Sequence, residues 1–510
     1  MSGAESTELP TEQTRSPFAR AVWGRREQRV VETAVLLGMV TFLLVRTRHL
    51  WFYSDDWSFI TDRRALLANG STADWLLRPL NEHLVAGVVV TYRVVIAIFG
   101  ITSQFPFMIL LMMSHIAVCW LIGLLIRRAG VPWVWSIGAM VWLGLFGAGN
   151  ENLMWPVQIG YMWSLAFGLA VAAIALRPLN HEVPESQWRS ISVDAAGSGL
   201  LFLGIAFGPS AIVMSFGTVA ALLARRPLRA GLARGLRIYT LPGVLYILWL
   251  IRYGGTDAPQ VAHSTSATVR YLRVGVVNAL DHTVGVRHLG VILAVIAVAL
   301  VLARWRDERT RVLAVLCLTS TATFFLTTAI SRAGFGPRQS TSPRYVFMAG
   351  AFMIPLFAVA VSELRRRVAM LRGRTRLLVD ALSLFLVLVL GVGAVLGSLH
   401  DLNIAIATRK RTLDTFRPMV NVAGLHALSP IADPSFVIEP NYNPALTLGG
   451  LAELQQSGIW EPRATWETAT LLEGSLQFGV TQITREPSVA SRLAPLPIVT
   501  RESRSEPGTY

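Results

Sequence analysis

Long apolar segments recur along this chain, and they constrain its fold more than any other feature of the sequence. Runs of roughly 18 or more apolar residues are long enough to cross the roughly 30 Å hydrocarbon core of a bilayer as helices. The chain of 510 residues is 53% hydrophobic and only 15% charged, whereas soluble proteins carry about 25% charged residues. The sequence therefore predicts an all-α polytopic membrane protein.

About eleven transmembrane helices are predicted, because a segment that crosses lipid must satisfy its backbone hydrogen bonds internally. They lie near residues 30–45, 106–126, 131–148, 158–176, 192–208, 210–224, 238–252, 289–303, 312–330, 345–362 and 377–398. The stretch 83–101 is also apolar, but Arg93 sits in its middle. We interpret that stretch as an interfacial or re-entrant helix of the first external loop.

The arginines predict the orientation. The formal net charge is +15, and the basic residues cluster in short segments between apolar runs, which argues against a nucleic-acid partner. If 83–101 does not cross, the clusters at 127–128, 225–237, 304–311 and 365–376 all fall on the cytoplasmic side, as the positive-inside rule requires. The N-terminus is then cytoplasmic. The external face receives residues 46–105, 149–157, 253–288 and 331–344 and the C-terminal part of the chain.

Three regions are predicted from composition. Residues 1–29 are polar and read as a disordered cytoplasmic tail. Residues 30–398 form the transmembrane domain, and residues 399–510, which contain no apolar run long enough to span, form a small extracytoplasmic domain. The two cysteines, Cys119 and Cys317, fall inside apolar runs, so no disulfide framework is expected.

An acidic island, Tyr53-Ser-Asp-Asp-Trp57, follows directly after the first predicted span. Carboxylates near a bilayer are costly, so Asp55 and Asp56 are expected to face water, a cation or a substrate hydroxyl. A carboxylate in such a position can serve as the general base towards an acceptor hydroxyl. The pair predicts an enzyme that works at the membrane surface.

Three other external segments carry unusual polar residues. Glu82 and His83 precede the interfacial helix, and Glu151 and Gln158 flank aromatic and proline residues in the second loop. The third segment precedes a late span and carries the set Arg332, Arg338, Arg344 and Tyr345. Carboxylates can hold Mg²⁺ or Mn²⁺, and arginines offer bidentate donors for phosphate. This combination suits transfer of an activated sugar, in which negative charge builds on a departing phosphate.

The order and sidedness of these motifs resemble the polytopic C-type glycosyltransferases. That superfamily includes protein mannosyltransferases, aminoarabinose transferases and the mycobacterial arabinosyl- and mannosyltransferases. The matching pieces are Ser54-Asp55-Asp56-Trp57, Asn150-Glu151-Asn152 and Ser342-Pro343-Arg344-Tyr345. Two features depart from the pattern: the second loop offers Glu151 instead of an Asp-x-Asp motif, and no Trp-Trp-Asp motif occurs.

The resemblance implies a cell-membrane enzyme that takes a sugar from a polyprenyl-phosphate donor and passes it, with inversion, to an extracytoplasmic glycan or lipid acceptor. Asp55 is the preferred base, and Asp56 with Glu151 would hold a cation or position the acceptor. Arg344, with Arg332 or Arg338, would neutralise the donor phosphate, and Tyr345 would hydrogen-bond it. Glu82, His83 and Gln158 would contact the acceptor.

Other interpretations of these residues stay open at the level of sequence. Asp55 and Asp56 can cap an interfacial helix, and Glu151 can belong to a solvated loop. His83 can be a buried, hydrogen-bonded histidine, and the arginines of the late loop can bind lipid headgroups. The alternative function is a transporter or a lipid or glycan flippase, which would place ionisable residues along a pathway in mid-membrane.

Overall fold

The computed structural model describes residues 24–177, 187–225, 227–254, 264–371, 374–430, 432–440 and 443–463. Within these ranges the chain forms seventeen α-helices, several short 3₁₀ or π-helical turns and one two-stranded antiparallel β-hairpin. The predicted all-α polytopic membrane class is confirmed.

The helices of the first half are α1 (Arg25–Thr47), α2 (Arg63–Ala68), α3 (Thr72–Leu77), α4 (Ala86–Phe99), α5 (Phe105–Arg128), α6 (Trp133–Gly144), α7 (Glu151–Met154), α8 (Ile159–Ala175) and α9 (Gln187–Phe207). The second half contains α10 (Ser210–Leu223), α11 (Leu228–Tyr253), α12 (Thr265–Val284), α13 (Gly290–Leu302), α14 (Glu308–Arg332), α15 (Pro343–Ala369), α16 (Arg374–Ala427) and α17 (Leu448–Gln456). Strands β1 (Val437–Glu439) and β2 (Asn443–Thr447) form the hairpin.

Seven of the described helices are long and apolar enough to cross a membrane, and they correspond to seven of the predicted spans. Three more predicted spans coincide with the shorter apolar helices α6, α10 and α13. The span predicted at 238–252 lies within α11, which is not among the seven. Helix α4 has 14 residues and belongs with α6, α10 and α13 in length, so its length alone does not test the interfacial interpretation of 83–101.

The core is built around α15, which is buried along most of its length and packs against α6, α12, α13 and α14. Helices α5, α8 and α10 complete the packed centre. Gly147, in the turn after α6, lies directly against the backbone of α16. The approach is so close that a Cβ at that position would collide with the carbonyl oxygen of Ser398. This close approach brings the second external loop against the last long helix.

The boundary predicted at 398/399 is not a break in secondary structure. Helix α16 is 54 residues long and runs from Arg374 through that position to Ala427. The chain then returns in the β-hairpin and α17, both of which pack against the π-helical turn Ser58–Asp62 of the first loop. The described C-terminal segment is therefore part of the wall around the acidic island.

The predicted disordered tail lies largely outside the described residues, because 1–23 are not among them. Its last residues differ from the prediction, since α1 already begins at Arg25. The first helix therefore starts inside the region that composition assigned to the tail.

Candidate active site

The acidic pair lies in a tight turn between α1 and the π-helical turn, and the two carboxylates have different environments. Asp56 is fully buried. Its Oδ2 accepts the backbone N–H of Tyr53 at 2.9 Å, and its Oδ1 accepts the hydroxyl of Tyr92. Burial raises the pKa of Asp56 to about 7, even though both hydrogen bonds favour the charged form. Through its two hydrogen bonds, with Tyr53 and with Tyr92, Asp56 holds the turn together.

Asp55 is the accessible member of the pair. It is half-buried, and burial raises the pKa of its carboxyl, while the positive charges of Arg344 and Arg332 oppose that rise. Its backbone carbonyl accepts the N–H of Ser58 at 3.2 Å, but no side-chain hydrogen bond caps the π-helical turn. This geometry does not support the capping interpretation of Asp55.

The turn that presents Asp55 is strained and is held from the far end of the chain. Ser54 has φ of +52°, a left-handed conformation that is uncommon for a residue with a Cβ. Its N–H donates to Oδ1 of Asn443 at 2.6 Å, and Asn443 is buried at the start of β2. Such strain persists only where surrounding contacts determine it, and it concentrates at functional sites.

The segments that carry Glu151 and Arg344 meet beside this turn. Arg344 Nη1 lies 3.7 Å from Glu151 Oε2, and the Ser342 hydroxyl is 3.4 Å from the same oxygen. Arg344 also lies over the ring of Tyr345, 5.5 Å from its centroid. Because α15 begins at Pro343, Arg344 stands in the first turn of a long helix, where the helix dipole adds positive potential.

A second arginine reaches the site from the end of α14. Arg332 Nη2 donates to the carbonyl of Asn81 at 3.0 Å and lies 3.8 Å from Glu82 Oε2. Asn81 and Glu82 form a two-residue turn closed by hydrogen bonds between Leu80 and His83, and both turn residues have positive φ (+50° and +73°). Asn81 and Glu82 are therefore a second place at the site, after Ser54, where the backbone is strained.

His83 follows that turn and is half-buried. Its ring meets the ring of Tyr161 edge to face, with centroids 6.2 Å apart. Burial, together with the positive charges of Arg332 and Arg344, lowers the pKa of His83 to about 4. The imidazole is therefore neutral near pH 7 and suited to hydrogen-bonding a hydroxyl group.

A third arginine at the site was missed by the sequence interpretation. Arg409 on α16 lies over the ring of Tyr53 at 3.9 Å and near the ring of Trp155 at 5.4 Å. It is also close enough to Asp56 and Glu151 to interact with them electrostatically. Arg409 falls in the region that was predicted to be a separate domain, and nothing in its local sequence sets it apart from its basic neighbours.

Two aromatic residues at the turn were also not anticipated as site residues. Trp155 donates its indole N–H to the carbonyl of Tyr53 at 3.1 Å. Tyr92, on α4, could not be predicted from the sequence as a partner of Asp56, because the two residues lie on different elements. No sequence signal identified either contact.

Three predicted site residues occupy other environments. Gln158 is buried, and its Oε1 is 3.5 Å from Nδ2 of Asn152, which does not support acceptor contact. Arg338 is exposed, and the hydrogen bond described for it is made by its backbone carbonyl, which accepts the hydroxyl of Thr341.

Tyr345 is buried and packs edge to face on Phe324, with centroids 5.9 Å apart. Of the late-loop arginines, the structure brings Arg332 and Arg344 together.

The predicted cation site at Asp56 and Glu151 finds little support in the donor geometry. Both oxygens of Asp56 are engaged by protein donors, and Glu151 lies beside Arg344. Within the described ranges, no three His, Cys, Asp or Glu side chains are grouped so that they could hold a metal ion. Mg²⁺ or Mn²⁺ dependence stays a prediction.

No family model matches this chain, and no curated protein matches it. Among solved structures, it is similar to ArnT from Cupriavidus metallidurans bound to undecaprenyl phosphate, with 15% identity, a TM-score of 0.47 and 88% of each chain covered. It is also similar to the apo state of that protein, with 16% identity, a TM-score of 0.43 and coverage of 80% of this chain and 81% of the other. ArnT is an aminoarabinose transferase of the C-type glycosyltransferases, the class that the motifs resemble. At this identity and TM-score, the likeness assigns no role to any residue.

Proposed function

We propose that this protein is an integral-membrane glycosyltransferase that moves a sugar from a polyprenyl-phosphate donor to an extracytoplasmic acceptor of the cell envelope. The observation that supports this most directly is the placement of Asp55. A half-buried carboxylate on a strained turn lies within electrostatic range of two arginines from a distant part of the chain. A base and phosphate-binding cations are the two things that this transfer requires.

Asp55 is the proposed general base. The acceptor hydroxyl oxygen attacks the anomeric carbon of the donor sugar, and the proton of that hydroxyl passes to Asp55. The bond between the anomeric carbon and the phosphate oxygen breaks, and its electron pair leaves with the lipid phosphate. Attack opposite the leaving group inverts the anomeric centre. General-base catalysis of this kind is typically worth about 10² to 10⁴ in rate.

Arg344 and Arg332 are the proposed phosphate-binding residues. Guanidinium groups bind phosphate oxygens through paired hydrogen bonds, and they stabilise negative charge best when they are held in place beforehand. Glu151 holds Arg344 and Glu82 holds Arg332, each by an ion pair. Arg409, fixed on the rings of Tyr53 and Trp155, is the third candidate.

Asp56 is proposed as a positioning residue. Its hydrogen bonds with Tyr53 and Tyr92 fix the turn, and they account for a buried carboxylate directly beside the base. The proposed reaction steps do not involve a metal ion. Metal binding by Asp56 and Glu151 stays a separate prediction.

The alternative of a transporter or flippase receives little support from the buried charges of the spans. Asp194 is ion-paired with Arg177, Arg234 and Arg237, with the shortest separation 2.6 Å to Arg237. Glu363 pairs with Arg366 and Arg367 near the end of α15. A transport pathway would instead place ionisable groups at mid-membrane.

The test is Asp55→Asn, which is nearly isosteric and removes the proposed proton acceptor. The variant should insert normally and bind a polyprenyl-phosphate sugar, but transfer should fall by about 10² to 10⁴. Asp62→Asn, seven residues along at an exposed position, is the matched control. Transfer by Asp55→Asn at the wild-type rate would remove the general-base role. Absence of transfer from any polyprenyl-phosphate sugar by the wild-type protein would overturn the glycosyltransferase proposal.

A further inference from the structure

A large groove lies outside the site described above. It is a groove of about 900 Å³ between α12, the loop that follows α12, and α16. Ala148 and Thr341 close one side of it. Its ionisable side chains are those of Arg270, Arg273, Asp281, His282, Arg287, His288, His400 and Asp401.

Three arginines give this groove an unbalanced positive charge. Arg270 and Arg273 stand one turn apart on α12, and Arg287 is in the loop beyond it; all three are exposed. Among the residues that the structure describes, none of the three has an ion-pair partner. The two acids of the lining have contacts with other groups: Asp281 Oδ1 accepts the backbone N–H of Gly290 at 2.9 Å, and Asp401 Oδ2 lies 4.0 Å from Nδ1 of His282. The guanidinium groups are thus available to a ligand.

The other part of the lining is apolar and continues into the exposed apolar part of α16. Val274, Val277, Ala394 and Gly397 line the groove. Along α16 towards the N-terminus, apolar side chains are exposed, including Leu388 (54%), Val392 (56%) and Leu396 (61%). The sequence of α16 becomes polar at His400. The groove therefore lies where an exposed apolar helix turns polar, as at the boundary between hydrocarbon and headgroups.

The end of α12 is built to approach α16 closely. Gly285 has φ of +75°, and a Cβ at this position would lie 2.6 Å from the Cβ of Ala394. A left-handed glycine at the helix end is the usual way to close a helix without a steric cost. This contact joins the arginine-bearing wall to the apolar wall.

We propose that this groove binds an anionic phospholipid of the surrounding membrane. The phosphate would contact Arg270, Arg273 and Arg287, since arginine matches phosphate geometry with paired donors. The acyl chains would follow the exposed apolar surface of α16. Ala148 and Thr341 are three residues from Glu151 and Arg344 in the chain, so the lipid would lie beside the candidate active site. The proposal concerns binding alone and does not depend on the transferase activity.

The experiment titrates the full-length, detergent-purified protein with dioctanoyl phosphatidylglycerol and follows binding by native mass spectrometry. Dioctanoyl phosphatidylcholine, with the same chains and no net charge, is the matched probe. Each basic residue near an anionic lipid contributes about fivefold in affinity. The Arg270→Gln/Arg273→Gln/Arg287→Gln variant should therefore bind phosphatidylglycerol about 100-fold more weakly, and each single variant about fivefold more weakly.

The control changes the same number of exposed arginines elsewhere, in Arg306→Gln/Arg309→Gln/Arg411→Gln, and should bind phosphatidylglycerol as the wild type does. Equal losses in both triple variants would show a general charge effect and overturn the proposal. Equal binding of the two lipids by the wild type would do the same. Complete displacement of phosphatidylglycerol by an equal concentration of inorganic phosphate would assign the groove to free phosphate. If the triple variant does not fold, the single variants carry the test.

Discussion

Asp55 and Asp56 show how two adjacent, identical side chains acquire different chemistry. Successive residues in a turn point in different directions, so one carboxylate is enclosed by Tyr53 and Tyr92 while the other stays accessible. Burial raises the pKa of both carboxyls, but only Asp55 lies near Arg344 and Arg332 without being tied to a backbone donor. The accessible carboxylate is the one suited to proton transfer.

The raised pKa of Asp56 predicts a pH-dependent stability. Its folded-state pKa is about 7 against an ordinary value of 3.8. The folded protein therefore holds an extra proton between these values, and the stabilisation present at low pH is lost as pH rises towards 7. As pH is lowered from about 8 to about 5, Asp56 should thus raise the Tm of the purified protein, whereas His83, with its lowered pKa, should lower it. Asp56→Asn lacks only the first contribution, so the difference in Tm between wild type and Asp56→Asn should shift in favour of the wild type as pH falls.

Asp74→Asn, which exchanges a carboxylate in the same external loop, is the control for this measurement and should follow the wild type. An Asp56→Asn protein whose Tm changes with pH as steeply as that of the wild type would show that other groups produce the effect. Differential scanning fluorimetry in detergent at four pH values is sufficient.

Arg344 predicts a pH-dependent activity. If Asp55 acts as a base, activity falls at low pH as its carboxylate is protonated, and the positive charge of Arg344 holds that acid limb at lower pH. Arg344→Gln removes the charge, so the limb of the kcat/KM profile should move to higher pH. Its maximal rate should also fall, because a phosphate contact is lost.

Arg309→Gln, an exposed position on another part of the molecule, should leave the acid limb unchanged. The two roles of Arg344 would separate if the acid limb of the kcat/KM profile of Arg344→Gln stayed at the wild-type pH while the maximal rate fell. That result would leave phosphate binding for Arg344 and remove its influence on Asp55.

At the scale of elements, the site is assembled from pieces that are remote in the chain. The first loop supplies Asp55, the starts of α7 and α15 supply Glu151 and Arg344, and α16 supplies Arg409. Strand β2 fixes the turn through Asn443, and the carbonyl of Ala445 accepts the hydroxyl of Thr61 at 2.9 Å. The hairpin is therefore a support for the acidic island.

Asn443→Ala tests this support. The change leaves the half-buried N–H of Ser54 without its acceptor, at a cost of about 1 kcal/mol, and it frees a turn that is strained at Ser54. We expect a lower Tm. The turnover rate of sugar transfer should fall by a larger factor than the affinity for the donor. Asn69→Ala, at an exposed position of the same loop, should change neither. Wild-type turnover in Asn443→Ala would show that the hairpin does not position Asp55.

At the scale of the whole molecule, the long apolar helices place the protein in a membrane, and the arginine clusters predict which face is cytoplasmic. Single cysteines at Asn69 and Arg309 lie on opposite predicted faces. The first should react with an impermeant thiol reagent on intact cells, and the second only after permeabilisation. Both native cysteines are buried and should stay unlabelled. Labelling of the Arg309→Cys protein from outside would reverse the predicted orientation.

Gly70, Gly255, Gly373 and Ser475 also lie in segments whose side of the membrane is predicted, but Gly255, Gly373 and Ser475 are outside the described residues. Gly70 is described, but its φ of +79° makes a cysteine there strained. Asn69 and Arg309 avoid both difficulties, since each is exposed in a described part of the chain.

The membrane class, most of the long helices and the choice of Asp55, Glu151, Arg332 and Arg344 as candidate site residues follow from the sequence. These features depend on local properties: the length of an apolar run, or a charge placed where a bilayer makes charge costly. Packing alone placed Asp56 in the interior, gave Gln158 and Arg338 other surroundings and brought Arg409, Tyr92 and Asn443 to the acidic island. The reason is that a contact such as Ser54 with Asn443 joins residues 389 positions apart, and no local pattern of residue types encodes which distant side chain will occupy a given space.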